Sequence, residues 1–201
     1  MAPFLFACLV LAGLGTAVAA PPSRVGEGLE VVTPPGWTVL QKNRTHEMEM
    51  LSLLPTWEKA DSWRDLLMYQ EFKGRGGVVP RDILEGAIAD GRAACPDQIA
   101  KPIQEGKVNG YDGAFLTVSC PARGEINLIK VVSGRDNLYM AQRTWRLAPF
   151  DPASPPLKST DLDVWVRFLA NLKPCDTRDG AHPCPPPEPP PGLPPSSAVR
   201  R

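Results

Sequence analysis

Arg143, Trp145 and Arg146 are the side chains best suited to holding a ligand, with Lys130 and Arg135 shortly upstream. A guanidinium beside an indole can clamp an anionic or aromatic group by stacking and forked hydrogen bonds. Strand parity puts Tyr139, Arg143 and Trp145 on one face. A large aromatic in that position suits core packing as well as binding. Trp57 and Trp63 flank a polar loop, residues 58–62, and offer a second candidate edge.

Groups for catalysis are sparse. Glu47 and Glu49 would project from one strand face about 7 Å apart, a separation that paired carboxylates can use. Their alternation with Met48 and Met50 equally describes a solvated strand face. His46 and His182 are the two histidines. The run from His46 to Met50 lacks the second histidine of H-E-x-x-H, so a zincin fails at its first ligand pair. The sequence contains no G-x-S-x-G elbow, no nucleotide-binding glycine loop and no C-x-x-C. No catalytic residue, metal set or cofactor is therefore assigned.

Cysteine chemistry points to bridges. Five cysteines are present, and Cys8 lies inside an apolar leader expected to be removed. Cys95, Cys120, Cys175 and Cys184 remain, with three possible connectivities. The favoured pairing is Cys95–Cys120, joining a helix end to a strand end, and Cys175–Cys184, closing a short polar loop. A rival zinc site from Cys175, Asp179, His182 and Cys184 lacks the tight cysteine pair that such sites show. Thiols in an oxidising compartment pair instead.

The leader reads as a signal peptide over residues 1–19. Residues 4–14 are apolar or small, and Ala17-Val18-Ala19 supplies the small side chains a signal peptidase accepts. No second stretch is long enough to span a bilayer, so no stable span is expected after cleavage. Lys plus Arg total 22 and Asp plus Glu total 22, a formal net charge of zero. That balance offers no basic excess for phosphate, so nucleic acid is not an expected partner.

The expected plan is a leader at 20–28, one domain at 29–173 and a disordered proline-rich tail at 174–201. Pro34-Pro35-Gly36 marks a turn between short strands. Strands are expected near 37–40 and 46–54; residues 63–72 fit a strand or a short helix, with strand favoured by the glycine-rich loop that follows, and a helix is expected over 80–94 with Pro80 in its first turn. Asn109-Gly110 signals a hairpin, inside an antiparallel run of strands reaching residue 147. Thr160 and Asp163 resemble a capping box before a second amphipathic helix ending near Leu172. From 183 to 195, nine of thirteen residues are proline, which favours extended chain. The fold class is α+β: an antiparallel sheet of about six to eight strands with two packed helices.

This element order, with Pro35-Gly36-Trp37 at the first turn, resembles the Mog1/PsbP-like fold group, which includes small exported DcrB-like proteins. The resemblance covers residues 29–172 and implies a binding or accessory module, with no shared catalytic set. The expected function is an exported, non-catalytic envelope protein, periplasmic or secreted, binding a protein or small molecule. A periplasmic hydrolase with a non-standard site and a secreted effector are the alternatives.

Overall fold

The computed structural model describes residues 25–184. The signal-peptide reading and the proline-rich run after Cys184 lie outside the described residues. Ten strands and two α-helices follow in the order β1 (Glu27–Leu29), β2 (Trp37–Arg44), β3 (Met48–Pro55), β4 (Asp65–Phe72), α1 (Pro80–Ala94), β5 (Ile99–Ala100), β6 (Gln104–Val108), β7 (Tyr111–Cys120), β8 (Glu125–Ser133), β9 (Leu138–Arg146), α2 (Ser159–Asn171) and β10 (Pro174–Asp176).

Eight strands make one antiparallel sheet in the order β2-β3-β4-β9-β8-β7-β5, with β6 also paired to β7. The chain is α+β, as the strand and helix patterns predict. Successive side chains alternate between faces, and each face carries a helix. Leu84 of α1 packs on Ala114, Leu116, Ile129 and Val131. Trp165, Phe168 and Leu169 of α2 pack on Leu53, Leu67, Leu128 and Trp145 from the other side. The expected hairpin forms between β6 and β7, with Val108 opposite Tyr111. Its turn residues Asn109 and Gly110 have φ of 50° and 86°, the left-handed pair that Asn-Gly tolerates best.

Two expectations change. No capping box forms: Lys158 occupies the N-cap of α2 without a side-chain cap, and Thr160 lies inside the helix. The tail does not begin at 174. β10 pairs antiparallel with β1, Glu27 opposite Asp176, and His182 stacks on Tyr111 at 3.8 Å between centroids. Residues 174–184 thus belong to the fold. The reason is ionic as well as apolar. The Glu27 carboxylate accepts from the backbone N–H of Arg135 (2.6 Å) and of Asn137 (3.1 Å) and from the Tyr139 hydroxyl (3.0 Å). Asp176 accepts from Arg178 (2.8 Å) and Arg135 (2.9 Å); Arg178 foremost, with Arg135, holds its carboxyl well below the usual range. Together they tie both ends of the described fold to the β8–β9 turn.

Both favoured disulfides are present. Cys95–Cys120 joins the end of α1 to the end of β7, and Cys175–Cys184 closes the loop after β10. Replacing Cys175 and Cys184 with serine is expected to lower stability by about 2 kcal/mol in urea denaturation, as a short closed loop implies. Amide exchange should accelerate across 174–184 while β8 and β9 stay protected.

Candidate functional site

Arg143 lies in the second half of β9, on the face toward α2, and is 2% exposed. Three indoles from three elements surround its guanidinium. Its carbon lies 3.2 Å from the Trp165 ring centroid, 4.4 Å from Trp145 and 5.0 Å from Trp37. Its fourth neighbour is the carboxylate of Asp65 on β4, which accepts a hydrogen bond from Nη2. Leu67, not Asp65, is the residue directly across from Arg143, so the ion pair runs diagonally over the β4–β9 ladder. Nε and Nη1 have no hydrogen-bond partner; the π faces of the tryptophans stand in for acceptors. Burial lowers the guanidinium to about 10, against the pull of Asp65, so it remains charged at neutral pH.

This cage takes Arg143 and Trp145 out of reach of a ligand. Both lie inside the core, whereas Arg146 is exposed, so the three do not form one ligand face. Lys130 and Tyr139 are also buried, and Arg135 belongs to the clasp on Asp176.

What remains outside is the rim of the cage. The Arg146 guanidinium carbon lies 3.5 Å over the Trp63 ring. Arg146 is tied to the preceding loop because its N–H donates to the Arg64 carbonyl at 2.7 Å. Trp57 is 54% exposed and rests over Gly36, where φ is +76°. The loop between the two tryptophans is held rigidly. The Glu58 carboxylate accepts from the N–H of Arg64 (2.8 Å) and Asp65 (3.1 Å), and the Thr56 N–H donates to the Gly36 carbonyl at 2.9 Å. Trp57, Trp63 and Arg146 therefore sit at one end of the sheet, where β2 and β4 start and β3 and β9 end. The two tryptophans flank the loop as the sequence suggests. The cage itself was not visible there, because Trp37, Asp65 and Trp165 reach Arg143 only through tertiary packing.

The remaining candidates are engaged elsewhere. Glu49 bridges Arg44 (2.6 Å) and Lys73 (3.1 Å), and these cations lower its carboxyl, Arg44 foremost. His46 is exposed at the β2–β3 turn. A groove of about 470 Å³ beneath α1 is lined by Arg81, Glu85, Ile88, Arg92, Lys101 and Ile103 among others. None of His46, Glu49 or Arg143 lines it. His182 lies 3.9 Å from Asp179, but Cys175 and Cys184 are bonded to each other, which removes two ligands from the rival zinc set. Glu27, Asp136 and Asp176 approach one another closely enough for a cation. Arg135 and Arg178 already neutralise that cluster. No family model matches the chain, and a search of curated proteins finds no significant relative.

Proposed function

We propose that this chain is an exported, non-catalytic binding or accessory protein of the cell envelope, and that it meets its partner through Trp57, Trp63 and Arg146. The observation that carries the reading is the exposure of Trp57 on a loop that Glu58 and Gly36 hold in place, beside an Arg146–Trp63 stack. Tryptophan and arginine are the side chains that dominate binding energy at protein interfaces, and a rigid loop loses little entropy when it docks. Two disulfides suit an oxidising compartment. No helix of the described residues is long and apolar enough to cross a membrane. An accessory role also agrees with the resemblance to the Mog1/PsbP-like group.

The test is site-specific photocrosslinking in the envelope of the source cell. A photoreactive residue at position 57 should give a discrete adduct, whereas one at exposed Ile99 should not. Arg146→Ala should weaken that adduct about tenfold or more, as loss of an interface anchor does, with the near-UV spectrum unchanged. Equal labelling at 57 and 99 would sink the proposal.

A further inference from the structure

Five methionines occur in the sequence, and the four among the described residues converge on one patch of one sheet face. Met48 and Met50 lie on β3, Met68 on β4 and Met140 on β9. Met50 is directly opposite Gln70 of β4, and Gln70 is directly opposite Met140. Met68 precedes Gln70 by two residues on the same strand, and Met48 is diagonal to it across the β3–β4 ladder. Parity and these pairings point all four thioethers to the side of the sheet that α1 covers. That helix, however, packs chiefly on β7 and β8, and its apolar cluster reaches the β4–β9 side only at Phe72, Leu138 and Met140.

Core packing accounts for little of this pattern. Met48, Met50 and Met68 are half-buried and belong to neither apolar cluster; Met140 alone touches the α1 cluster at its margin. Gln70 is the centre of the ring. Its Nε2 reaches the Met48 sulfur at 3.8 Å. Its Oε1 is buried and has no hydrogen-bond partner. A buried amide oxygen left without a donor costs about 1–3 kcal/mol, and a simple apolar docking face has no use for one. A cation does.

Chemistry selects which cation. Thioethers are soft, uncharged donors, which favour Cu(I) over hard ions such as Mg²⁺ or Ca²⁺. Neighbouring strands are about 4.8 Å apart and residues i and i+2 about 7 Å apart. Three rotatable bonds let each methionine sulfur bend toward a point above Gln70. We propose that this face binds one soft monovalent metal ion, Cu(I), through the thioethers of Met48, Met50, Met68 and Met140, with the Gln70 carbonyl oxygen beneath it. This surface is separate from the tryptophan–arginine rim, so neither proposal depends on the other.

Ag(I) is the redox-inert probe. The experiment uses the oxidised full chain carrying Cys8→Ser, so that both disulfides are closed and no thiol competes. One equivalent of Ag(I) should shift the ε-methyl NMR signals of Met48, Met50, Met68 and Met140 together, with that of Met1 left in place, and native mass spectrometry should show one bound ion. Zn(II) should do neither. Met50→Leu with Met68→Leu keeps side-chain size and apolarity, and should weaken Ag(I) binding by at least about tenfold per thioether removed. A chromogenic Cu(I) chelator under anaerobic reduction should rank the variants in the same order. Methyl signals that stay fixed in excess Ag(I), or leucine variants that bind as tightly as the parent, overturn the proposal. The methyl titration on the parent protein decides the matter even if a leucine variant fails to fold.

Discussion

Arg143→Met lowers folding stability by about 3–5 kcal/mol, the cost of breaking a buried ion pair by removing one member. The guanidinium contributes in two ways. It neutralises Asp65, which is itself buried, and it fills the space between Trp37, Trp145 and Trp165 with a cation lying against their π faces. Methionine preserves most of the volume and supplies neither. A loss of that size moves the thermal midpoint by about 10 °C in a domain of this length. Tryptophan fluorescence would report the same transition from inside the cage. Asp65→Asn added to Arg143→Met should recover part of the loss, since the double replacement leaves no buried carboxylate without its guanidinium. Raising the salt concentration should change little, because counterions screen exposed charges far more than buried ones. A single variant within 1 kcal/mol of the parent would show that the cage is not what holds α2 against the sheet.

Lys130→Met is the second large effect, about 3 kcal/mol at neutral pH, and its size should grow with pH. Lys130 is 5% exposed and comes from β8. Its ammonium donates to the carbonyls of Leu169 (2.8 Å), Ala170 (3.0 Å) and Leu172 (2.7 Å) at the end of α2. Three donors meet three carbonyls at the helix C-terminus, where intrahelical partners run out, at the negative end of its dipole; that of Leu169 also accepts from the Leu172 N–H at 3.1 Å. Methionine removes the donor to the Ala170 and Leu172 carbonyls, at about 1–3 kcal/mol for each one buried, while Leu169 keeps the Leu172 N–H. Burial, with a smaller push from Lys173, brings the amine down to about 7. In the unfolded chain it titrates near the ordinary value of about 10.4. Between those values the unfolded state holds more protons, so stability rises with pH across the window. The rise is on the order of 1–3 kcal/mol, smaller than the full shift implies, because the carbonyls favour the charged form. Chemical denaturation of both proteins from pH 6 to 10 checks this. The parent should gain relative to the variant as pH rises; a gap that closes instead would contradict the assignment.

Much of this architecture was legible because it is local. Pro80 and the spacing of Ile83, Leu84 and Ile88 mark α1, and Asn109-Gly110 marks the β6–β7 turn. The favoured disulfides rest on equally local cues: Cys95 and Cys120 end a helix and a strand, and Cys175 and Cys184 bound a short loop. What could not be read is whatever depends on strand order. Arg143 and Trp145 share a face by parity, but nothing in β9 says that α2 will close over that face with Trp165. Met48 and Met50 show alternation, yet their meeting with Met68 and Met140 requires the β3–β4–β9 register. The segment from 174 to 184 is polar and rich in proline and looks like a departing tail. It stays because Asp176 and Arg178 find partners in the β8–β9 turn, more than 40 positions earlier for each arginine–aspartate contact to that turn.

The β1–β10 pair also governs how the molecule would answer to tension. Its strands are three residues each and run antiparallel, so chain enters and leaves at the same end of the ladder. A load applied at residue 184 would pass through the bridge to Cys175 and bypass the intervening loop. Pulled against residue 25, the two short strands would unzip one rung at a time rather than shear together. The Glu27 contacts to the β8–β9 turn would yield early, and the eight-stranded sheet would bear force only after that latch had opened.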